Sequence, residues 1–124
     1  MGYLNHCRKL SLPGNRIGDD GMCTLAKALT MGVDGGATRA CAHKLMALPE
    51  CERVSLSYNE IGEVGIQSLA AALLKGALPS CANGTNIFVA ANPGSAAPVR
   101  DALVEREHRW RDAELAAGIM LTER

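Results

Sequence analysis

Two stretches of the chain read LSLPGNRIGDDGMCTLAKAL (residues 10–29) and VSLSYNEIGEVGIQSLAAAL (residues 54–73). Aligned at a fixed offset of 44 residues, they are identical at ten of twenty positions. Average composition would give roughly one or two such matches by chance. The shared residues begin with Ser-Leu, continue through Asn-x-Ile-Gly and end in a run rich in Ala and Leu. The chain therefore contains an internal repeat, and this repeat decides the fold.

Each copy of the repeat predicts a strand, a turn and a helix. Leu10 and Leu12 alternate at period two, which gives the strand one apolar face. Asn15 follows where the chain leaves the strand, and its amide can pair with backbone groups that the turn frees. Asp19 and Asp20 then begin a helix, where they oppose the positive end of its dipole. The helix carries an apolar stripe at three- and four-residue spacing, formed in the two copies by Leu25, Ala28, Leu29, Leu69, Ala72 and Leu73.

A third, weaker copy begins at residues 87–92, IFVAAN, at an offset of 33 from the second. Gly94 stands where the earlier copies have Ile, and Pro98 stands where they have their second Gly. We therefore divide the chain into repeats over residues 1–97, with units starting near 4, 48 and 81, and a segment 98–124. This last segment is expected to form the final repeat helix and a C-terminal cap, helical through about Ala117.

The pattern resembles the leucine-rich repeat, LxxLxLxxN, with Cys7 and Cys51 in a slot where that family allows cysteine. The tail N-x-I-G-x-x-G…LAxAL is more narrowly similar to the ribonuclease-inhibitor-like subclass, and the resemblance covers about residues 4–106. It implies an α/β fold, a short right-handed solenoid of about three strand–helix repeats. The resemblance places a parallel sheet on the concave face, where partners dock, and helices on the convex face. The offsets of 44 and 33 exceed the usual 20–29 residues, and both excesses fall between a helix and the next strand.

Charge and cysteine content narrow the classes of partner and compartment. Thirteen basic and thirteen acidic residues give a net charge of zero. Proteins that bind nucleic acid or anionic membranes usually carry a basic excess, so neither partner is expected. Five cysteines form no CxxC pair, and no apolar leader opens the chain. Reduced thiols in the cytoplasm are the better interpretation.

No motif predicts catalysis, a cofactor or a metal. The sequence has neither a GxSxG elbow nor a GxxxxGK phosphate loop. His6, Cys7, Cys41 and His43 include one CxH pair, but zinc sites usually combine two short-spaced pairs. Cys7 and Cys51 are explained as buried core residues of the repeat. The chain is therefore expected not to be an enzyme and to need no cofactor.

Candidate partner-binding residues lie between the core positions of the strands and on the C-terminal segment. They are Lys9, Ser11, Arg53, Ser55, Ser57, Tyr58, Phe88 and Trp110. Two alternatives stay open at this stage. The serines can simply suit a solvated strand face while Phe88 packs under a loop, and Trp110 can close the core instead of anchoring a partner. Local ion pairs with neighbouring acidic residues are expected for Arg106, Arg109 and Arg111.

The sequence therefore predicts a non-catalytic protein–protein interaction module that uses the concave face. The alternative is a permanent structural subunit of a large cytoskeletal, axonemal or ribosomal assembly. Three repeats are about the minimum for a stable solenoid, and both ends need caps. Nothing before Leu4 can serve as one, so we expect either a fragment of a longer array or a partner that covers this end.

Overall fold

The computed structural model describes residues 8–30, 50–81 and 86–116. Strands and helices alternate in this part of the chain. The order is β1 (Lys9–Ser11), α1 (Asp19–Thr30), β2 (Arg53–Ser55), α2 (Glu63–Leu74), β3 (Ile87–Phe88) and α3 (Ala97–Ala116). We call β1–α1, β2–α2 and β3–α3 the first, second and third units.

The three strands form one parallel sheet in the order β1-β2-β3. Leu10 lies opposite Val54, which lies opposite Ile87. A parallel pair needs a long crossover, and a helix follows each strand here. The predicted α/β class and the parallel sheet are therefore confirmed. Because the strands are only two or three residues long, packing against the helices must supply most of the stability.

The core lies between the sheet and the helices. Val54 and Ile87 from the strands join Ile66, Leu69 and Leu73 from α2 in one buried cluster. The second unit is the best covered, because α1 packs on one side of α2 and α3 on the other.

The first unit has apolar residues at the equivalent positions, but these residues are less buried. Its positions that remain partly buried are Leu10, Leu12, Ile17 and Leu25. The counterparts in the second unit are all buried: Val54, Leu56, Ile61 and Leu69. Within the described part of the chain, β1 is an edge strand with no strand beyond it.

Asn59 joins the turns of the first two units. Its Oδ1 accepts hydrogen bonds from the backbone N–H groups of Asn15 (2.9 Å) and Ile17 (3.0 Å). Its Nδ2 donates to the carbonyls of Leu12 and Leu56, both at 2.9 Å. The expected pairing of the amide with its own turn is present, and the same side chain also bonds to the preceding unit.

Asn92 repeats this arrangement one unit further along. Its Oδ1 accepts the N–H of Ile61 (3.0 Å), and its Nδ2 donates to the Leu56 carbonyl (2.9 Å). The side chain of Asn15 donates to the Pro13 carbonyl at 3.3 Å within its own turn. Each asparagine thus binds the unit before it wherever that unit is described.

Asp19 occupies the first turn of α1, as expected, but its carboxylate caps the next helix. Oδ1 accepts hydrogen bonds from the N–H groups of Gly62 (2.7 Å) and Gly65 (2.8 Å) at the start of α2. A Cβ at position 65 would lie 2.8 Å from that oxygen and 2.6 Å from Cγ2 of Ile61. Glycine is therefore required there for the close approach of the two units.

The C-terminal segment forms α3, which ends at Ala116 in the described residues, against the expected end near Ala117. Arg109 pairs with Glu105 (3.1 Å) and Arg111 with Glu107 (3.7 Å), so the predicted local ion pairs exist for these two arginines. Arg106 is buried and makes contacts of another kind, which are described next.

Arg106 is only 2% exposed and binds backbone carbonyls. Its guanidinium donates to Leu73 (3.2 Å), Ala77, Leu78 (3.1 Å) and Cys81 (2.9 Å). These carbonyls belong to the end of α2 and the turn after it. Arg106 therefore fastens α3 to the C-terminus of the preceding helix, where a cation is favoured.

Trp110 packs under Arg106, with the guanidinium carbon 4.4 Å from the ring centroid. The indole is 1% exposed. Trp110 therefore closes the core, and its place among the candidate partner-binding residues is corrected. One turn separates the two side chains on α3, which explains why an arginine can stack on a tryptophan there.

Two cysteines lie in the core of the second unit. Cys51 and Cys81 are fully buried and reduced, as predicted for Cys51. Cys81 Sγ lies 3.3 Å from the carbonyl oxygen of Cys51. Hydrogen bonding with the Cys51 side chain, followed by burial, raises the pKa of the Cys81 thiol. The prediction for Cys7 lies outside the described residues, as do His6, Cys41 and His43.

Among the helices of the described residues, none combines the length and the apolar character that crossing a membrane requires.

Candidate functional site

The side of the sheet that faces away from the helices, here called the open face, carries most of the predicted site residues. Alternation along the strands turns Leu10, Val54 and Ile87 toward the core. The residues between them must then point the other way. The open face is lined in this way by Lys9, Ser11, Arg53, Ser55 and Phe88, and is continued by Ser57 and Tyr58 in the following turn.

The strand register arranges these residues in two rows across the sheet. Lys9 lies directly opposite Arg53, and we call this pair the cation row. Ser11 lies opposite Ser55, which lies opposite Phe88, and we call these three the hydroxyl row. The two rows are two residues apart along each strand, or roughly 7 Å. The structure therefore brings five of the predicted residues into one compact patch.

Two aromatic side chains are exposed at this patch. Phe88 is 40% exposed, and Tyr58, in the turn after β2, is 71% exposed. Phe88 therefore does not pack under a loop, which was the alternative left open by the sequence. Large exposed aromatic side chains are typical of protein interfaces.

The backbone at Tyr58 has a feature that the sequence alone did not reveal. Gly14, Tyr58 and Ala91 occupy the same place in the three units, and their φ angles are 70°, 60° and 61°. This left-handed region suits glycine and costs other residues roughly 1–2 kcal/mol. A bulky, exposed tyrosine at such a position gains little from packing, so its presence needs another reason. The alignment of Gly14 in the first copy with Tyr58 in the second was the feature of the sequence that pointed to this backbone conformation.

Arg53 on the open face differs from three other exposed arginines of the described residues in its ion pairing. Arg16 pairs with Glu60 (3.2 Å), and Arg109 and Arg111 pair with acids one helical turn away. Arg53 has no ion pair with any residue in the described ranges, although Glu52 precedes it in the chain. Its guanidinium is thus an exposed cation beside a second one.

The helical side of the molecule has a different feature, an open groove of about 300 Å³ between α1 and α2. It is lined by Cys23, Ala26, Lys27, Thr30, Ser68, Ala71, Ala72 and Lys75. Cys23 Sγ lies 2.9 Å from Ser68 Oγ. Among the described residues of the lining there is neither a histidine nor a carboxylate that could act as a general base for this pair.

Metal binding has no support in the described ranges 8–30, 50–81 and 86–116. They contain no group of three or more His, Cys, Asp or Glu side chains placed to hold a metal ion. No protein-family model, curated protein or solved structure matches the chain. The chemistry of the open face is therefore the basis of the candidate site.

Proposed function

We propose that this chain is a non-catalytic protein-interaction module of the leucine-rich-repeat type, similar to the ribonuclease-inhibitor-like subclass. It binds a protein partner through the open face, which corresponds to the concave face of that family. The cytoplasm is its proposed compartment, since Cys23, Cys51 and Cys81 are free thiols.

Three observations support the repeat assignment. The ten identities between residues 10–29 and 54–73 coincide with two strand–turn–helix units. The strands of these units pair in parallel with register Leu10 to Val54, which is the 44-residue offset of the sequence repeat. The asparagines of the second and third units each bind the turn of the unit before.

The observation that carries the binding proposal is the pair of exposed aromatic residues, Tyr58 and Phe88, at the open face. Neither residue is needed to fill the core, and Tyr58 also accepts an unfavourable backbone conformation. Selection for binding explains both facts, because aromatic side chains supply large contact areas at small entropic cost.

The test is capture of a partner from cell extract by the full chain, followed by mass spectrometry. Replacing Phe88 and Arg53 together by Ala should remove the captured partner while the circular-dichroism melt stays nearly unchanged. The matched control replaces Val104 and Arg100 by Ala, an exposed aliphatic residue and an exposed arginine of α3. Equal loss in both double variants, or capture that survives the open-face variant, contradicts the proposal.

A second candidate function is that of a permanent structural subunit of a larger assembly. The partial exposure of Leu10, Leu12, Ile17 and Leu25 favours it, because a partner covering β1 would bury them. An isolated chain that aggregates with rising concentration, and is rescued by one co-purified protein, supports this candidate. A cooperative monomer across the same concentrations supports the free module.

A further inference from the structure

The outer side of the first unit resembles the side by which the second unit binds the first. In the second unit, the Ser55 carbonyl accepts the N–H of Leu12 from the strand before it (2.8 Å). Ser11 holds the same place in β1, and its carbonyl points away from β2 because the next residue, Leu12, points toward β2. Within the described residues no strand lies on that side of β1. The Ser11 carbonyl is therefore open to a further strand.

The amide of Asn15 is placed for a contact that the described residues do not supply. In the second unit, Asn59 accepts two N–H groups of the first unit at Oδ1 and donates from Nδ2 to the Leu12 carbonyl. In the first unit, Asn15 donates to the Pro13 carbonyl of its own turn (3.3 Å), and its Oδ1 accepts no hydrogen bond from the described residues. This oxygen is therefore available to the N–H groups of a neighbouring turn.

The start of α1 lacks the carboxylate cap that the start of α2 has. Gly62 and Gly65 donate their N–H groups to Asp19 of the preceding unit, at 2.7 and 2.8 Å. Gly18 and Gly21 are their counterparts in the first unit, and their N–H groups have no acceptor in the described part of the chain. A carboxylate is favoured at such a helix start, because it pairs with the N–H groups and opposes the dipole.

The same side of the first unit has room for a close neighbour. A Cβ added at Gly65 would lie 2.8 Å from Asp19 Oδ1, because the first unit approaches the second closely there. One added at Gly21 would meet only Cγ2 of Ile17, at 3.3 Å, among the described residues. Four apolar residues of the first unit are only half-buried, although their counterparts in the second unit are buried: Leu10, Leu12, Ile17 and Leu25. We call this surface the leading edge, and its polar groups belong to Ser11, Asn15, Gly18 and Gly21.

We propose that the leading edge binds a strand–turn–helix unit of a partner polypeptide, with an aspartate or glutamate at the start of its helix. The partner strand pairs with β1 in parallel and donates an N–H to the Ser11 carbonyl. The partner turn donates to Asn15 Oδ1. The acidic side chain accepts the N–H groups of Gly18 and Gly21, as Asp19 does at the start of α2. Because these contacts use the rim of the sheet and not the side chains of the open face, they go beyond the proposed function and can hold or fail without it.

The interface between the first two units, continued by one step, specifies this occupant. A second copy of the chain fits less well. Its first and second units are each covered on the required side by the unit that follows. Its third unit has Ala96 where the first has Asp19 and the second has Glu63, so it offers no carboxylate to α1. A partner unit with an acidic residue satisfies N–H groups that a second copy would leave unpaired.

The experiment adds one unit to the full chain. A second copy of residues 8–51 is inserted before Arg8, which continues the 44-residue offset of the repeat. The inserted unit brings its own copy of Asp19, and the matched control changes only that copy to Ala. A second version carries a protease site at the junction, so that cleavage turns the inserted unit into a separate polypeptide. Amide hydrogen exchange of Gly18 and Gly21 in the original first unit, urea unfolding and gel filtration are measured.

We expect the added unit to slow the exchange of Gly18 and Gly21 at least tenfold relative to the unaltered chain. The control with Ala in the inserted unit should lose this protection. Asn15→Ala should leave the urea midpoint of the unaltered chain nearly unchanged but lower that of the extended chain, because the amide then joins two units as Asn59 does. After cleavage, the added unit should still elute together with the chain.

Other outcomes overturn the proposal. If Gly18 and Gly21 of the unaltered chain are already as protected as Gly62 and Gly65, the leading edge needs no partner. Equal protection by the added unit and by its Ala control shows that the acidic residue is not recognised. An added unit that does not fold against β1, or that separates after cleavage, shows that the surface does not bind such a unit. Oligomers of the unaltered chain in which Gly21 gains protection with concentration make a second copy the occupant. Capture through the open face is unaffected by each of these results.

Discussion

Asn59 shows how one side chain can hold two units together. All of its polar atoms are used, with two N–H groups bound at Oδ1 and carbonyls from two different units bound at Nδ2. The residue is buried, so water cannot replace these bonds if the side chain is removed. An amide suits this place because it is both a donor and an acceptor, which no carboxylate can be.

Asn59→Ala should therefore lower the free energy of unfolding by about 1–3 kcal/mol, since it leaves buried backbone groups unpaired. Asn15→Ala is the matched control, because the same residue in the first unit is exposed and its side chain bonds only within its own turn. Urea unfolding followed by circular dichroism measures both. A midpoint for Asn59→Ala that equals that of Asn15→Ala would show that the bonds between the turns add nothing.

Arg106 makes the corresponding contact between the helices. Its guanidinium donates to carbonyls at the end of α2 and in the turn that follows it. Arg106→Ala should lower the free energy of unfolding by about 3 kcal/mol or more, because several buried acceptors lose a charged donor at once. The only tryptophan of the chain, Trp110, lies beneath it, so tryptophan emission reports the unfolding directly.

Arg109→Ala controls for the loss of an arginine on the same helix, since Arg109 is exposed and pairs only with Glu105. Exposed pairs of this kind contribute roughly 0–1 kcal/mol. Lysine at position 106 keeps the charge but lacks the planar fork, so Arg106→Lys should recover only part of the stability. A full recovery would show that charge at the end of α2, without the fork geometry, holds α3.

At the scale of the elements, the sequence was most informative where the pattern repeats. The alternation at Leu10 and Leu12 and the stripe from Leu25 to Leu29 predicted a strand and a helix, and α1 runs from Asp19 to Thr30. The second copy predicted β2 and α2 in the same way. In these elements the apolar residues recur at a single period, and the positions that this period selects are the ones that pack in the core.

α3 is the element for which sequence reasoning was least reliable. Its buried face includes Arg106 and Glu114 as well as Val99, Leu103 and Trp110. Charged residues at buried positions hide the apolar stripe, so the sequence left open whether Trp110 closes the core or anchors a partner. The carbonyls that accept Arg106 lie some 30 positions earlier in the chain. No local pattern can show that contact.

The start of α2 provides a test of contacts between elements. Asp19 belongs to α1 and caps α2 from there. Asp19→Ala should lower the free energy of unfolding by about 1 kcal/mol, the usual loss for an N-terminal cap. Asp20→Ala removes the same charge from the next, exposed position and should cost less. Amide hydrogen exchange supplies the specific readout: Gly62 and Gly65 should exchange faster in Asp19→Ala only. Equal protection of these amides in both variants would contradict the capping role.

For the whole molecule, the sheet has one covered face and one open face, and the sequence predicted which residues lie on each. The period-two pattern placed Lys9, Ser11, Arg53, Ser55 and Phe88 on the open face before any contact was known. It could not predict the left-handed backbone at Tyr58 or that Arg53 would lack an ion pair with the described residues. Both depend on how the three units stack, which is a property of the assembled sheet.

Stacking also makes the second unit the centre of the molecule, and its thiols should report on global unfolding. Cys51 and Cys81 are fully buried, whereas Cys23 is partly exposed. Among these three thiols, alkylation of the native protein should label Cys23 first and spare Cys51 and Cys81 until urea unfolds the chain. Rapid native labelling of Cys51 or Cys81 would mean that this core opens locally, without unfolding of the whole.

The raised pKa of the Cys81 thiol gives this core a pH dependence with a definite sign. The folded protein keeps the thiol protonated, while the unfolded chain releases the proton near the ordinary cysteine value of about 8.5. Stability from this group is therefore complete below that pH and falls above it, by up to about 1.4 kcal/mol per pH unit. Urea unfolding between pH 8 and 10 should show this decline, and Cys81→Ala should flatten it, whereas Cys23→Ala should not. If the two variants keep the same slope, the buried Cys81 thiol is not the group that links stability to pH.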